Sequence, residues 1–151
     1  LNQAIQEVRR ISHDLRPSLL DDMGLTSALK GLLDEYESRT GIMVETDLDF
    51  PKERLPDDIE ITLYRLIQEA LSNVEKHSGA DEVRLKTWVQ GRYVWVLLKD
   101  NGEGFDIKAK VQREGIGLRN MHDRIELLSG EFVLTSEVGH GTQLRVKLPL
   151  V

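Results

Sequence analysis

Along this chain the spacing of apolar residues switches between a helical period and a period of two, in the order helix, strand, helix, strand, strand, helix, strand, strand. That order constrains the fold more than any other feature. A helical stripe and an alternating strand each have one face to bury, and few layered arrangements bury both kinds at once. The expected fold is α+β: a two-layer α/β sandwich with a mixed sheet covered by helices on one face. At 151 residues the chain has the length of one ordinary domain with its own core.

The first residues set Leu1, Ala4, Ile5, Val8, Ile11 and Leu15 on one side of a helix, close to a seven-residue repeat, with Gln3, Gln6, Glu7, Arg9 and Arg10 outside. This pattern predicts the truncated end of a helical bundle. Arg16-Pro17 stops it, because a proline ring disfavours helical geometry at the residue before it. A turn through Asp21, Asp22 and Gly24 leads to a second helix, with Leu25, Ala28, Leu29, Leu32, Leu33 and Tyr36 at helical spacing and Gly41 as its stop. From Ile42 the period becomes two, with Val44, Leu48 and Phe50 on the apolar side.

A third helix is predicted from Asp57 and Asp58, whose charges suit the positive end of a helix dipole, to about His77. Its core stripe is Ile59, Leu63, Leu66, Ile67, Ala70, Leu71 and Val74. Strands 82–89 and 93–98 flank a Gln90-Gly91-Arg92 turn; the second is almost continuously apolar and is placed at the centre of the sheet. Residues 100–114 are polar, glycine-bearing and weakly periodic, which reads as a mobile lid. A fourth helix carries Leu118, Met121, Ile125 and Leu128 and stops at Gly130; strands 132–136 and 142–148 then meet across Gly139-His140-Gly141.

Composition removes several function classes. There is no cysteine, so disulfides, thiolate metal sites and cysteine nucleophiles are out. No apolar run approaches the ~20 residues of a membrane span and no leader opens the chain, so a soluble, cytoplasmic fragment is expected, with the longer protein free to be membrane-anchored. The net charge of −6 argues against a nucleic-acid partner. No P-loop is present, no serine sits in a nucleophile elbow, and His13, His122 and His140 lack partners at metal-ligand spacing.

Four segments carry chemistry. Glu69, Asn73 and His77 form a polar stripe along one edge of the third helix, with Lys76 beside Glu69. Asn73 and Glu69 are oxygen donors suited to Mg²⁺, and Lys76 and His77 suit phosphates; a solvated face with i,i+4 pairing gives the same pattern. Asp100-Asn101-Gly102-Glu103-Gly104-Phe105 follows the central strand, where an aspartate accepts from an exocyclic amine and Gly102 and Gly104 let the backbone pass close to a ring; a plain turn also fits. It is no EF-hand, since Gly102 and Phe105 occupy the third and sixth places. Gly115-Ile116-Gly117-Leu118 opens the fourth helix and offers a generic anion site. Gly139-His140-Gly141-Thr142 reads most simply as a hairpin turn.

In this order the segments resemble the four nucleotide-binding boxes of the Bergerat-fold (GHKL-type) ATPases: gyrase, heat-shock chaperone, histidine kinase and mismatch-repair proteins. Residues 68–77 look like the N box of sensor kinases, 100–105 and 115–120 like the two glycine boxes, and 139–142 like the last box. Ser12-His13-Asp14-Leu15-Arg16-Pro17-Ser18-Leu19-Leu20-Asp21-Asp22-Met23-Gly24-Leu25 is similar to the linker before the catalytic domain of nitrate-sensor-type kinases. The resemblance implies ATP and Mg²⁺ as cofactors: Asn73 on the metal, Glu69, Lys76 and His77 flanking the phosphates as catalytic residues, Asp100 reading adenine and Thr142 supporting that contact.

It also implies residues 1–22 as the end of a dimerisation helix and linker, and 23–151 as the catalytic domain. The implied partners are the dimerisation and phosphoacceptor helices of a homodimer and the receiver domain of a response regulator. His13-Asp14 imitates the phosphoacceptor pair, but Pro17 ends the helix four residues on, so the acceptor is expected before residue 1. An anti-sigma-type serine kinase and a nucleotide-gated interaction module are the alternatives on the same fold.

Overall fold

The computed structural model describes residues 17–106 and 116–150. The expected bundle helix, its stop at Arg16, Gly115 and the greater part of the lid lie outside these residues.

Helix α1 (Ser18–Met23) stands where a turn was expected through Asp21, Asp22 and Gly24. It forms because Pro17 enters with φ already fixed at −62° and because the turn carries Leu20 into the core, where it is fully buried. Gly24, at φ 88°, passes the chain directly into α2 (Leu25–Thr40). Leu25, Ala28, Leu29, Leu33 and Tyr36 are buried, while Leu32 is half-buried at the margin. Gly41 adopts the left-handed conformation and donates its N–H to the Glu37 carbonyl at 2.9 Å, ending the helix as expected.

Strand β1 (Met43–Leu48) pairs parallel with β2 (Glu82–Gln90); β2 pairs antiparallel with β3 (Tyr93–Asp100). Strand β5 (Thr142–Pro149) lies between β3 and β4 (Glu131–Ser136), giving the mixed order β1-β2-β3-β5-β4. β3 is therefore central, but not for the expected reason. Val94, Val96, Leu98 and Asp100 are buried toward the helices, whereas Tyr93, Trp95 and Leu97 on the other face are only half-buried. Trp95 stacks there on its register partner Trp88, ring centroids 5.7 Å apart, so an aromatic pair rather than a second helical layer accounts for the apolar run.

Helix α3 (Asp57–Asn73) and the turn that follows it bury the whole predicted stripe; each of its Leu, Ile and Val side chains contributes about 1.5–3 kcal/mol. The helix ends near the expected place but in a different form: Val74–Ser78 is a single π-helical turn, closed by Gly79 at φ 65°. Helix α4 (Ile116–Leu127) follows, with Ile125 fully buried, and the chain turns through Ser129 at φ 63° into β4.

Candidate functional site

Asp100 is the last residue of β3 and only 3 % exposed. Its Oδ1 accepts the Gly102 N–H at 2.8 Å, an Asx-type turn that fixes the carboxylate at the strand end. The chain beyond it is bound on two sides. Glu103 donates its N–H to the Ser78 carbonyl at 2.8 Å, and a Cβ on Gly102 would collide with that carbonyl. Only glycine lets the loop run this close to the end of the π turn.

The hairpin between β4 and β5 closes on the same loop. Gly139 donates to the Glu103 carbonyl at 2.5 Å. A Cβ on Gly104, which sits at φ 68°, would strike the Glu137 carbonyl, and one on Gly141 would strike the Asp100 carbonyl. Phe105 donates its N–H to Ser136 Oγ at 2.9 Å, and that hydroxyl shares a 2.9 Å hydrogen bond with Thr142 Oγ1. Thr142 thus supports the Asp100 loop through Ser136.

The fourth segment reaches α3 at another point. A Cβ on Gly117 would overlap Glu69 Oε1, so the Glu69 carboxylate lies against the first turn of α4, where the helix dipole favours an anion. Leu118 is half-buried beside it. The α3 edge therefore touches the Asp100 loop through Ser78 and the start of α4 through Glu69.

Asn73, between these two contacts, is half-buried, and its Nδ2 is buried with no hydrogen-bond partner among the described residues. An amide left in that state costs about 1–3 kcal/mol unless a ligand or water completes it. Thr62 Oγ1 and Trp95 Nε1 share the condition, but Thr62 lies about three turns earlier on α3 and Trp95 faces the other side of the sheet. Asn73 alone of the three lies in the stretch between Glu69 and Ser78, the two residues that touch the glycine segments. With Glu69 it offers the oxygen donors that Mg²⁺ takes, so the residues fit such an ion. Lys76 and His77 are exposed on the π turn. That wider turn ends the regular angular spacing at Asn73, so His77 departs from the straight stripe the sequence suggested.

The π turn is held from α2. Val74 N–H is shared between the Ala70 and Leu71 carbonyls, and the buried Tyr36 hydroxyl donates to the Leu71 carbonyl at 3.0 Å. Burial, with Glu75 nearby adding to it, pushes the Tyr36 hydroxyl from 10.0 up to about 12. A cavity of about 410 Å³ opens between α2 and α3, lined by Tyr36, Arg39, Gln68, Glu69, Glu75 and Lys76 among others. Neither Asp100 nor any of the glycine segments lines it, but it shares Glu69 and Lys76 with the polar edge of α3, so it adjoins the place where those segments meet from the α2 side.

Ser78 and Ser136 join the site without having been singled out by their sequence context. So does a surface grouping on α4: His122, Asp123 and Glu126 bring ligand atoms within 4.8 Å of one another, where the sequence reading saw no partner for His122. Exposed acidic clusters of this kind are ordinary on helices, and no site is drawn from it.

Similarity to known proteins runs through these elements. Residues 58–151 match the family described as histidine kinase-, DNA gyrase B- and HSP90-like ATPase. The chain is 42 % identical over 151 residues to the sensor histidine kinase MctS of Rhizobium johnstonii, covering 99 % of this chain and 32 % of that protein. It is 40 % identical over the same length to the signal transduction histidine-protein kinase/phosphatase DegS of Brevibacillus brevis, covering 39 % of it. The chain thus spans 32 % and 39 % of these two relatives, well under half of either. Among solved structures, the histidine kinase domain of the Erythrobacter litoralis EL346 blue-light activated kinase superposes with a TM-score of 0.67 at 20 % identity, over 81 % of this chain and 59 % of that one. Histidine kinase AdeS of Acinetobacter baumannii does so at 0.66 and 15 %, over 99 % and 78 %. The two structures support the fold, and the family match covers α3, the glycine segments and the whole sheet beyond β1: this chain belongs to the histidine kinase-, DNA gyrase B- and HSP90-like family of ATP-binding ATPase domains.

Proposed function

We propose that the chain is the ATP-binding catalytic domain of a two-component sensor histidine kinase, with residues 1–22 the end of its dimerisation helix and linker and 23–151 the catalytic part. The observation that carries this reading is the meeting of the Asp100 loop, the polar edge of α3 and the β4–β5 hairpin, with α4 starting against Glu69. Identity of 42 % and 40 % to sensor kinases over 99 % of the chain favours this over a serine kinase or a nucleotide-gated module on the same fold.

Asp100 accepts from the adenine amine; Gly102 and Gly104 admit the ring, and Thr142 steadies the loop through Ser136. Asn73 and Glu69 hold Mg²⁺, which when bound offsets phosphate charge. Lys76 and His77 face the phosphates, and the backbone N–H groups at Gly117 and Leu118 receive them at the start of α4. The domain chiefly positions the nucleotide. In the reaction a histidine nitrogen attacks the γ-phosphorus in line, the bond to the β,γ-bridging oxygen breaks, ADP leaves, and the phosphoryl group later passes to an aspartate of a response regulator receiver domain.

The accepting histidine belongs to a segment before residue 1 of a homodimeric protein, not to His13. Among the described residues no helix is long and apolar enough to cross a membrane; the cytoplasmic location belongs to the kinase reading, whose ATP and receiver domain are cytoplasmic. Isothermal titration of the chain with ATP tests the reading: saturable binding that strengthens with magnesium is expected, without transfer of label from γ-³²P-ATP to the chain. No binding in either buffer sinks the reading, and acid-labile label on His13 overturns the assignment of the acceptor.

A further inference from the structure

Arg54 lies in the loop between β1 and α3 and reaches back to α1. Its Nε donates to the Glu60 carboxylate at 3.2 Å and its Nη2 to the same carboxylate at 2.7 Å. Nη2 also donates to the Leu20 carbonyl at 2.9 Å, and Nη1 to the Asp21 carbonyl at 3.3 Å. Glu60 stands in the first turn of α3 and is only 2 % exposed, so its charge is withdrawn from water and balanced by Arg54. One guanidinium therefore holds the last carbonyls of α1 and the first turn of α3 together. A planar five-donor fork can serve both partners at once; an ammonium has no such geometry.

Gly24 leaves room for this arrangement. A Cβ there would stand 3.3 Å from Arg54 Cδ, and the backbone sits at φ 88°, where glycine is at ease. Gly24 is also the joint between α1 and α2, the natural place for the chain to bend. The Arg54 contacts remove that freedom, since they tie α1 to the same helix whose far end carries Glu69 and Asn73.

We propose that Arg54 is a positioning residue for phosphoryl transfer: clamped to Glu60, it makes α1 part of the catalytic body, so that the angle between nucleotide and upstream histidine is set ahead of Ser18 rather than at Gly24. This rests on the kinase reading above. Arg54 touches neither nucleotide nor acceptor in this scheme; it acts through α1. A loose joint at Gly24 spreads the nucleotide over many approaches to the histidine, and misplacement of about 1 Å can cost a transfer step on the order of 100-fold.

The test pairs amide hydrogen exchange on this chain with autophosphorylation of the longer kinase that contains it. Because Arg54→Ala strands a buried carboxylate and risks unfolding, the double variant Arg54→Met, Glu60→Leu accompanies it, removing the clamp without leaving a lone charge. In both, amides 20–24 are expected to exchange about tenfold faster or more while amides 63–71 keep their protection. ATP affinity stays within about twofold, and the autophosphorylation rate at saturating ATP falls about tenfold or more. The exchanged pair Arg54→Glu, Glu60→Arg recovers part of both losses. Unchanged exchange at 20–24 overturns the clamp, and faster exchange with unaltered autophosphorylation overturns its role. A wild-type protein that never phosphorylates itself overturns the kinase reading and this role together, whereas a phosphorylating wild type indifferent to the variants overturns this role alone.

Discussion

The two ends of the proposed nucleotide cleft are built differently. Around Asp100 every segment is closed: its carboxylate holds the Gly102 amide, Glu103 binds Ser78, Gly139 binds Glu103, and three glycines bring backbones into contact that no other residue permits. Around Asn73 the structure is incomplete, with a buried amide nitrogen lacking a partner and Lys76 and His77 exposed on a wide helical turn. A base is uncharged and always the same shape, so its pocket can be preformed at little cost. A polyphosphate with a metal ion brings its own charge and ligands, so the groups that meet it are completed only when it arrives. Substitutions at the first end are therefore expected to damage both folding and binding, and those at the second to damage binding alone.

The largest effect is expected from Asp100→Ala. It removes the only proposed contact specific to adenine together with the brace on Gly102, and nucleotide affinity measured by calorimetry should fall on the order of 100-fold or more. Undiminished affinity would place the base elsewhere. Gly104→Ala comes next: at φ 68° and against the Glu137 carbonyl, the added methyl should lower the unfolding free energy in urea by about 1–3 kcal/mol. Asn73→Ala should do the reverse, with stability in the absence of nucleotide equal to wild type or higher because a buried amide without a protein partner is removed, while the gain in ATP affinity on adding magnesium shrinks. If Asn73→Ala proves as destabilising as Gly104→Ala, the contrast between the two ends fails.

The smallest effect concerns Tyr36, which braces the π turn from outside the cleft. Its hydroxyl ionises near 10.0 when exposed and near about 12 when folded. The unfolded chain therefore loses this proton first as pH rises. Stability from this source is fully present below pH 10.0, declines between 10.0 and about 12, and is constant beyond. Tyr36→Phe should flatten that part of the urea-midpoint profile and cost about 1 kcal/mol at neutral pH through the lost bond to Leu71.

Much of this was legible in the residues themselves. The stripe from Ile59 to Val74 is a helical period written without interruption, and it is the stripe that the structure buries. The glycines at 102 and 104 fitted a plain turn as well as a close backbone approach, and Gly117 a generic anion site, until their order along the chain was taken together. Less could be read where tertiary neighbours decide. Residues 18–23 look like a turn until Leu20 has a core to enter. The π turn leaves no mark on the sequence, because its support, Tyr36, lies on another helix. Ser78 and Ser136 act only through partners brought to them by the fold, and the apolar run of β3 hid a Trp88–Trp95 pair facing away from the helices.

The central claim is that base and metal-bound phosphates occupy the cleft between Asp100 and Asn73, not the cavity between α2 and α3. Amide chemical-shift mapping of the ¹⁵N-labelled chain, titrated with a non-hydrolysable ATP analogue and magnesium, tests it directly. Shifts concentrated at Gly102, Gly104, Gly117, Thr142 and Asn73 are the predicted result. Shifts confined to Leu32, Tyr36, Arg39, Gln68 and Ser72, with Asp100 and Asn73 silent, would contradict it.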